Sequence, residues 1–268
     1  MSERKKITLT TLGKMKQAGE KIAVLTAYDS TFTVVEEMAG VDAIIVGDSL
    51  GMVIQGKEST VPVSLSDMIY HTANVARVRQ HAFIVADMPF MSYASSAEAL
   101  GNAARLMQEG GAHMVKIEGG SFRLEVVCEM VGNGIPVCAH LGLTPQSVHA
   151  QGGYRVQGRD EASAHTILDD AEALQDAGAG MLVLECVPSV LGSEISHALK
   201  IPVIGIGAGP DCDGQVLVLH DMLGITPGKR PVFSCDFMQG QDSIQGAIEA
   251  YVRDVKSGAY PAPEHCYN

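Results

Sequence analysis

The 268-residue chain contains no tryptophan, and aromatic residues make up only 5% of it. It also lacks any apolar segment that approaches the roughly 18 residues needed to span a membrane. The first 25 residues contain no uninterrupted apolar core of the length found in signal peptides. These absences predict a cytoplasmic protein that has no membrane partner.

Positive charge is scarce, because 19 Lys and Arg residues stand against 31 Asp and Glu residues and give a formal net charge of −12. Affinity for nucleic acid comes mainly from Lys and Arg side chains that neutralise phosphates. The dense basic run at residues 4–6 is most simply a solvated chain end. The charge balance therefore argues against a nucleic-acid partner.

None of the six cysteines has the Cys-x-x-Cys spacing of a zinc or redox site, and several stand inside apolar runs. We expect reduced thiols, mostly in packing roles, rather than a disulfide or a zinc site. No stretch rich in Ser, Gly or Pro divides the chain, so we expect one domain over residues 1–268.

A recurring unit is present instead, in which a helix ends at glycine, a short apolar strand follows, and an acidic residue stands at the end of that strand. It occurs three times, and the acidic residues are Asp48, Glu118 and Glu185. Continuous runs of Val, Ile and Leu are typical of strands that are buried on both faces of a parallel sheet.

Eight such strands are predicted, at residues 22–26, 43–46, 83–86, 114–117, 136–139, 181–184, 202–206 and 216–219. Their alternation with amphipathic helices over about 250 residues indicates a (β/α)8 TIM barrel. An amphipathic segment at residues 8–18, with Thr10 or Thr11 as its N-cap, predicts a short N-terminal helix. Residues 257–268 are interpreted as a C-terminal tail, either a mobile end or a segment that packs on a neighbouring subunit.

Polar residues stand at the ends of seven predicted strands: Asp48 and Ser49, Asp87, Lys116 and Glu118, His140, Glu185, Gly207 and Gly209, and His220 and Asp221. The carboxyl ends of barrel strands form one mouth, where active sites are assembled. Each residue alone could cap a helix or form an ion pair. Several carboxylates in one pocket repel one another, however, and a hard divalent cation is the simplest compensation. Oxygen ligands without a Cys/His cluster favour Mg²⁺ over zinc.

Asp48 and Asp87 are the first choice of metal ligands, because two adjacent strands can place two short carboxylates on one ion. Glu118 is a third ligand, either directly or through water. Its alternative role is an ion pair with Lys116, which lies two residues earlier on the same strand face, and both roles are compatible.

Lys116 offers a positive charge to a substrate carboxylate or oxyanion, and its alternative role is a salt bridge only. His140 is either a donor to the same substrate or a structural histidine. The residues after Glu185 are apolar, and an apolar surrounding raises the pKa of a carboxyl group towards the value that a base needs near neutral pH. Glu185 is therefore the candidate proton acceptor. The glycine run at residues 205–209 is either a phosphate-binding loop or a tight turn.

Several motifs resemble those of the ketopantoate hydroxymethyltransferase family. They include VGDSLGM at 46–52, ADMPFMSY at 86–93, MVKIEGG at 114–120, PVCAHLGLTPQSV at 136–148, GGYRVQGR at 152–159 and LVLECVP at 182–188. The resemblance implies a (β/α)8 barrel that uses Mg²⁺ and transfers a hydroxymethyl group from 5,10-methylenetetrahydrofolate to 3-methyl-2-oxobutanoate. It also implies a homodecamer built from two pentameric rings.

Carried over by matching motifs, the family's metal site corresponds to Asp48, Asp87 and Glu118. Its oxo-acid contacts correspond to Asp48, Ser49, Asp87 and Lys116, and its proton acceptor to Glu185. The resemblance does not place the folate, although Arg155, Lys229 and Arg230 are candidates for contact with its anionic tail, against the alternative of ordinary solvated bases.

Two other functions compete with this interpretation. One is a Mg-dependent C–C lyase or mutase of 2-oxo acids, similar to the phosphoenolpyruvate mutase and isocitrate lyase group. Those enzymes usually carry a cysteine-bearing loop, whereas residues 119–122 here read GGSF. The other is a non-catalytic oligomeric scaffold, which would leave the acidic mouth unexplained.

Overall fold

The computed structural model of the protein describes residues 5–226 and 230–268. Eight parallel strands close into a barrel in sequence order, and the last strand pairs with the first. The strands are β1 (Ile22–Thr26), β2 (Ala43–Val46), β3 (Phe83–Asp87), β4 (Met114–Glu118), β5 (Val137–Gly142), β6 (Met181–Glu185), β7 (Val203–Ile206) and β8 (Gly214–Leu217). The predicted (β/α)8 barrel is confirmed.

Helices surround the barrel and cap its lower end. They are α1 (Leu9–Gln17), α2 (Ser30–Ala39), α3 (Leu50–Val53), α4 (Leu65–Val78), α5 (Ser96–Gln108), α6 (Leu124–Gly132), α7 (Glu161–Asp176), α8 (Ser189–Ala198), α9 (Leu219–Met222) and α10 (Ile244–Ser257). Short 3-10 helices lie at Ser121–Arg123, Pro145–Ser147 and Pro263–His265. Within the described ranges, no helix is both long and apolar enough to cross a membrane.

The core consists of aliphatic side chains from the strands and from the inner faces of the helices, and almost every strand residue is buried. This follows from the continuous Val, Ile and Leu runs, which suit strands covered on both faces. The six cysteines are all unpaired, and Cys138, Cys186 and Cys212 are buried, so the prediction of reduced thiols is confirmed. Cys128, which is exposed, is an exception to the packing role.

The predicted boundaries of the eighth strand were wrong by two residues, because β8 begins at Gly214 and Leu219 already belongs to α9. Gly214 lies so close to β1 that an added Cβ would stand 2.4 Å from the carbonyl oxygen of Ile22. The strand therefore starts at a residue without a side chain, which a search for apolar runs does not find.

The N-cap of α1 is Thr8 rather than Thr10 or Thr11. The Thr8 hydroxyl accepts the N–H of Thr11 at 3.2 Å, and Thr11 returns a bond to the Thr8 N–H, which makes a capping box. This start lets Leu12 and Met15 face the barrel, and both are buried.

The C-terminal tail packs on its own barrel. The carbonyl oxygen of Tyr267 accepts the backbone N–H of Ser189 at 2.9 Å, and Tyr260 is buried with its hydroxyl bonded to the Phe233 carbonyl. The tail thus contributes to the barrel mouth instead of extending away from it.

Candidate active site

The carboxyl ends of the strands surround a cavity of about 850 Å³. Every residue that the sequence placed in the site lines this cavity: Asp48, Ser49, Asp87, Lys116, Glu118, His140 and Glu185. Asp221 lines it too, whereas the ring of His220 lies beside Tyr28, with the centroids 5.6 Å apart. These side chains thus share one cavity, and the roles assigned to them stay predictions.

Asp48 follows β2 and Asp87 ends β3, so parallel pairing of the two strands brings these residues together. The backbone N–H of Asp48 donates to Asp87 Oδ2 at 3.1 Å, and both carboxylates are buried. Burial raises the pKa of each of them, and for Asp48 the neighbouring Asp87 and Glu118 raise it further. The ionised pair is costly on its own, and a cation would stabilise it.

Lys116 and Glu118 lie two residues apart on β4 and share the face that points into the barrel. Lys116 Nζ is 3.2 Å from Asp87 Oδ2 and 4.0 Å from Glu118 Oε1. Burial alone would lower the pKa of Lys116, but the carboxylates of Asp87 and Glu118 outweigh it and raise that pKa, so the side chain stays an ammonium ion. The ion pair that the sequence offered as an alternative for Glu118 is therefore present.

His140 lies on β5 between two carboxylates and the lysine. Its Nδ1 is 3.1 Å from Lys116 Nζ, and its Nε2 is 3.2 Å from Glu185 Oε2. Nδ1 also lies 3.5 Å from Glu118 Oε1. Burial and Lys116 would lower the pKa of His140, but the carboxylates of Glu118 and Glu185 outweigh them and raise it. Because the ammonium can only donate, a neutral ring accepts from Lys116 at Nδ1 and carries its proton on Nε2. Nε2 makes no contact of hydrogen-bond geometry with any described residue, so its N–H is available to a ligand oxygen.

Glu185 ends β6, and its side chain is 13% exposed, more than those of Asp87 and Glu118 at 4% and 3%. Its neighbours in sequence are apolar, and Cys186 lines the same cavity, but the Glu185 carboxylate also lies close to His140 Nε2. The surroundings of the carboxylate are therefore partly polar. Glu185 remains the most open of these three acids, which suits a group that exchanges a proton.

The glycine run after β7 makes a tight turn. Gly207 and Gly209 have φ values of +64° and +89°, which favour glycine. An added Cβ on Gly207 would stand 2.9 Å from the Phe233 ring, and one on Gly209 would stand 2.7 Å from Ser189. The space around these glycines is filled by the protein's own side chains, which favours the turn over the phosphate loop.

The outer wall of the cavity combines two predicted folate-tail candidates with residues that the sequence did not single out. Arg155 and Arg230, two of the folate-tail candidates, line it, together with Arg159, Tyr154, Phe233 and Tyr267. Lys229, the third candidate, lies outside the described residues. Tyr154, Arg155 and Arg159 belong to the GGYRVQGR motif. Phe233 and Tyr267 come from distant segments of the chain, and no sequence motif indicated that they reach the cavity.

Gln146 is a further residue that the sequence did not single out. It follows β5 in a 3-10 helix, it is buried, and its Nε2 donates to Asp48 Oδ2 at 2.8 Å. An uncharged residue in a loop gives no indication in the sequence that it reaches the strand ends.

The carboxylates fit a magnesium site by their chemistry. Asp87 Oδ1 and Glu118 Oε1 are buried and have no hydrogen-bond partner among the described residues. Within residues 5–226 and 230–268, no group of three His, Cys, Asp or Glu side chains is arranged to hold a metal by itself. Mg²⁺ commonly keeps several waters and takes only one or two protein carboxylates, so a pair of aspartates completed by water and substrate suits this ion.

A closed (β/α)8 barrel whose strand ends carry carboxylates, a lysine and a histidine in one cavity defines a TIM-barrel enzyme. The family profile described as Ketopantoate hydroxymethyltransferase matches residues 6–263. A protein of Nitrosococcus oceani named 3-methyl-2-oxobutanoate hydroxymethyltransferase is 62% identical over 262 residues, which cover 98% of this chain and 99% of that protein. The chain belongs to the ketopantoate hydroxymethyltransferase family.

Solved structures of other enzymes share the fold. Phosphonopyruvate hydrolase in complex with oxalate and Mg²⁺ has a TM-score of 0.62 at 14% identity, and the alignment covers 97% of this chain and 93% of that one. A 2,3-dimethylmalate lyase, a member of the PEP mutase/isocitrate lyase superfamily, has a TM-score of 0.61 at 16% identity. That alignment covers 94% of this chain and 96% of the lyase chain. At these identities the likeness concerns the fold alone.

Proposed function

We propose that this enzyme transfers a hydroxymethyl group from 5,10-methylenetetrahydrofolate to 3-methyl-2-oxobutanoate and forms 2-dehydropantoate for pantothenate biosynthesis. The observation that carries the proposal is the convergence, in a chain of this family, of two adjacent aspartates, a buried lysine and a separate, more open glutamate in one cavity. These groups match the needs of a reaction that deprotonates an oxo acid beside its carbonyl.

Asp48 and Asp87 would hold the Mg²⁺ ion directly, and Glu118 would hold it directly or through water. When bound, the ion supplies a Lewis acid for the keto oxygen of the substrate and so makes the adjacent carbon more acidic. The unpartnered oxygens of Asp87 and Glu118 support this assignment, since buried acceptors without partners are otherwise rare.

The remaining residues would bind the oxo acid. Lys116 would attract its carboxylate with a fixed positive charge, and the N–H of His140 Nε2 would donate to one of its oxygens. Ser49 is held by a 2.9 Å hydrogen bond between its hydroxyl and that of Tyr28, which keeps it at the cavity wall for a further contact.

Glu185 would remove the single Cβ proton of the substrate, and the carbon so freed would attack the methylene carbon of the folate. One water molecule enters the overall reaction, and tetrahydrofolate leaves together with 2-dehydropantoate. The greater exposure of the Glu185 side chain to the cavity, 13%, supports this role, because a carboxylate that takes up a proton must reach the substrate.

The outer wall of the cavity suits the folate. A five-carbon oxo acid fills only a small part of 850 Å³, so the cavity has room for a much larger second substrate. The aromatic rings of Tyr154, Phe233 and Tyr267 suit the flat pterin, and Arg155 and Arg230 suit its anionic glutamate tail.

The homodecamer remains an inference from the family resemblance, and the cytoplasmic location remains an inference from the sequence alone. Several large apolar side chains are exposed on the single chain, among them Met38, Tyr70, Phe122 and Val190, and such residues often lie in subunit contacts. Light scattering on the purified protein would measure the number of subunits directly.

The proposed reaction is tested by following 2-dehydropantoate formation from the oxo acid and 5,10-methylenetetrahydrofolate, with and without a chelator. We expect product that depends on both substrates and disappears on chelation. Cleavage of a substituted 2-oxo acid without folate would favour the lyase alternative instead, for which the present support is the shared fold alone.

A further inference from the structure

Gln146 lies in the 3-10 helix Pro145–Ser147, in the loop that follows β5, yet its side chain reaches the ends of β2 and β3. It is only 5% exposed and makes contacts with four different residues. A glutamine that is buried among carboxylates at a barrel mouth needs a reason, because a shorter or apolar residue would avoid the cost of burying its amide.

The orientation of the Gln146 amide is fixed by the backbone carbonyl of Met88 and the side-chain hydroxyl of Tyr93. Its Nε2 donates to the carbonyl oxygen of Met88 at 2.9 Å, which can only accept. Its Oε1 accepts from the hydroxyl of Tyr93, because that hydroxyl already accepts the N–H of Glu118 at 3.2 Å and must direct its own proton elsewhere. The second hydrogen of Nε2 therefore points to Asp48 Oδ2 at 2.8 Å.

The same residue also binds Glu118, since the backbone N–H of Gln146 donates to Glu118 Oε2 at 3.0 Å. Gln146 thus gives one hydrogen to a single oxygen of Asp48 and one to a single oxygen of Glu118. The other oxygen of Glu118 stays without a hydrogen-bond partner among the described residues. That oxygen, Oε1, lies 4.0 Å from Lys116 Nζ and 3.5 Å from His140 Nδ1. One residue thus links the ends of β2 and β4.

We propose that Gln146 is a positioning residue for the metal site: it holds Asp48 and Glu118 in the orientation that a divalent cation requires, and Tyr93 fixes the direction of its amide. The inference rests on the metal site of the proposed function. Hydrogen bonds to ligating carboxylates restrict their rotation, and removal of such partners typically weakens metal affinity by about 10- to 100-fold.

The test is a calorimetric titration of Mg²⁺ into the full-length protein and its variants, in the absence of substrate. Gln146→Met keeps the length of the side chain and the backbone N–H that binds Glu118, but it removes all three hydrogen bonds of the amide, including the one to Asp48. We expect Mg²⁺ affinity about 10- to 100-fold weaker than that of the wild type. Tyr93→Phe removes the hydroxyl that fixes the amide and that also accepts the Glu118 N–H, and we expect a smaller loss in the same direction. It also provides the test if Gln146→Met fails to fold.

Gln151→Met is the matched control. Gln151 is a partly buried glutamine of the same loop, with Nε2 3.1 Å from Thr144 Oγ1 and Oε1 3.3 Å from the Thr144 N–H. Its Nε2 also lies 3.4 Å from the carbonyl oxygen of Gly142 at the end of β5, and its side chain makes no hydrogen bond to a carboxylate among the described residues. We expect it to lower the melting temperature without a change in Mg²⁺ affinity. A Gln146→Met protein that binds Mg²⁺ as tightly as Gln151→Met would overturn the positioning role.

A second readout separates positioning from simple packing. At saturating Mg²⁺, Gln146→Met should recover most of its kcat, because the added metal restores the occupied site, whereas a merely structural defect would persist. A wild-type protein that binds no Mg²⁺ at all would refute the metal site itself, and this inference with it. A wild type that binds Mg²⁺, together with Gln146→Met and Gln151→Met proteins that bind it equally tightly, would refute the inference alone.

Discussion

Lys116 and Asp87 stand opposite each other on neighbouring strands, and Lys116 Nζ lies 3.2 Å from Asp87 Oδ2 in the buried floor of the barrel mouth. The ammonium ion also lies 4.0 Å from Glu118 Oε1, while Asp87 Oδ1 has no hydrogen-bond partner among the described residues. Lys116 thus partly neutralises the charge of the floor without a metal.

Replacement of Lys116 by Met should destabilise the metal-free protein by about 3–5 kcal/mol, because it leaves buried carboxylates without their partner. Equilibrium denaturation in the presence of chelator measures this loss, and Mg²⁺ should restore part of it. Arg105→Met, which breaks a surface ion pair with Glu109, is the control and should have little effect. Equal unfolding midpoints for the two variants would contradict the neutralising role.

Asp48→Asn and Asp87→Asn should each weaken Mg²⁺ binding, since an amide replaces a charged oxygen ligand. Calorimetry with Mg²⁺ is the direct measurement. Asp221→Asn is a suitable control, because Asp221 lines the same cavity but accepts from the Thr226 hydroxyl at 2.6 Å. Titration curves of the first two variants that match the wild type would exclude them as ligands.

Glu185→Gln should lower the rate of hydroxymethyl transfer by about 10²- to 10⁴-fold, the usual range for loss of a general base. Binding of Mg²⁺ and of the oxo acid should be retained, because the carboxylate lies apart from the aspartate pair. Steady-state kinetics and calorimetry on the same preparation separate the two effects. A variant with near-normal turnover would show that another group takes the proton.

The fold and the inner site were accessible from the sequence because each strand is a continuous apolar run with a polar residue at its end. Asp87, Lys116 and Glu185 could be placed at the mouth by that pattern alone. The start of β8 at Gly214 was not predicted, because glycine has no side chain to contribute to an apolar run. The Gln146 contacts could not be predicted either, since they join residues 98 and 53 positions apart through loop conformation.

His113 should make stability depend on pH. Its Nδ1 accepts the backbone N–H of Ile84 at 2.9 Å, and burial, with Arg79 and Lys6 nearby, lowers its pKa to about 4. The folded protein keeps the ring neutral, whereas the unfolded chain protonates it below about pH 6.5, so stability falls as the pH drops from about 6.5 to 4.

The His113 contribution is measured as the difference between the wild type and His113→Gln in denaturation experiments at several pH values. Between about pH 6.5 and pH 4, we expect the free energy of unfolding to fall by about 1–3 kcal/mol less in the variant than in the wild type. The difference is smaller than the full value from the pKa shift because the ring is only partly buried. His165→Gln, at an exposed position, should follow the wild-type curve. Parallel curves for all three proteins would refute the role of His113.

Glu36 is fully buried on α2, and neither of its carboxyl oxygens has a hydrogen-bond partner among the described residues. Burial raises its pKa well above the ordinary value, as do the nearby carboxylates of Asp29 and Glu37, so folding favours the protonated form. The unfolded chain ionises it above about pH 4.5, and stability is therefore lost as the pH rises from there towards the folded pKa.

Glu36→Leu should accordingly stabilise the protein at pH 7 by about 1–3 kcal/mol, with a smaller gain at pH 4. Glu37→Leu is the contrasting variant, because the Glu37 carboxylate accepts the N–H groups of His81 and Ala82 at 2.9 and 2.7 Å. Its loss should destabilise the protein. A Glu36→Leu variant that is no more stable than the wild type at neutral pH would contradict this account.

The central claim is that a divalent cation at Asp48 and Asp87 prepares the oxo acid for proton removal by Glu185. The most direct measurement is the exchange of the Cβ proton of 3-methyl-2-oxobutanoate in deuterated buffer, followed by NMR without folate. We predict exchange that requires Mg²⁺, stops on chelation and is nearly abolished in Glu185→Gln. Exchange that continues unchanged in the presence of chelator, or at the wild-type rate in Glu185→Gln, would contradict the claim.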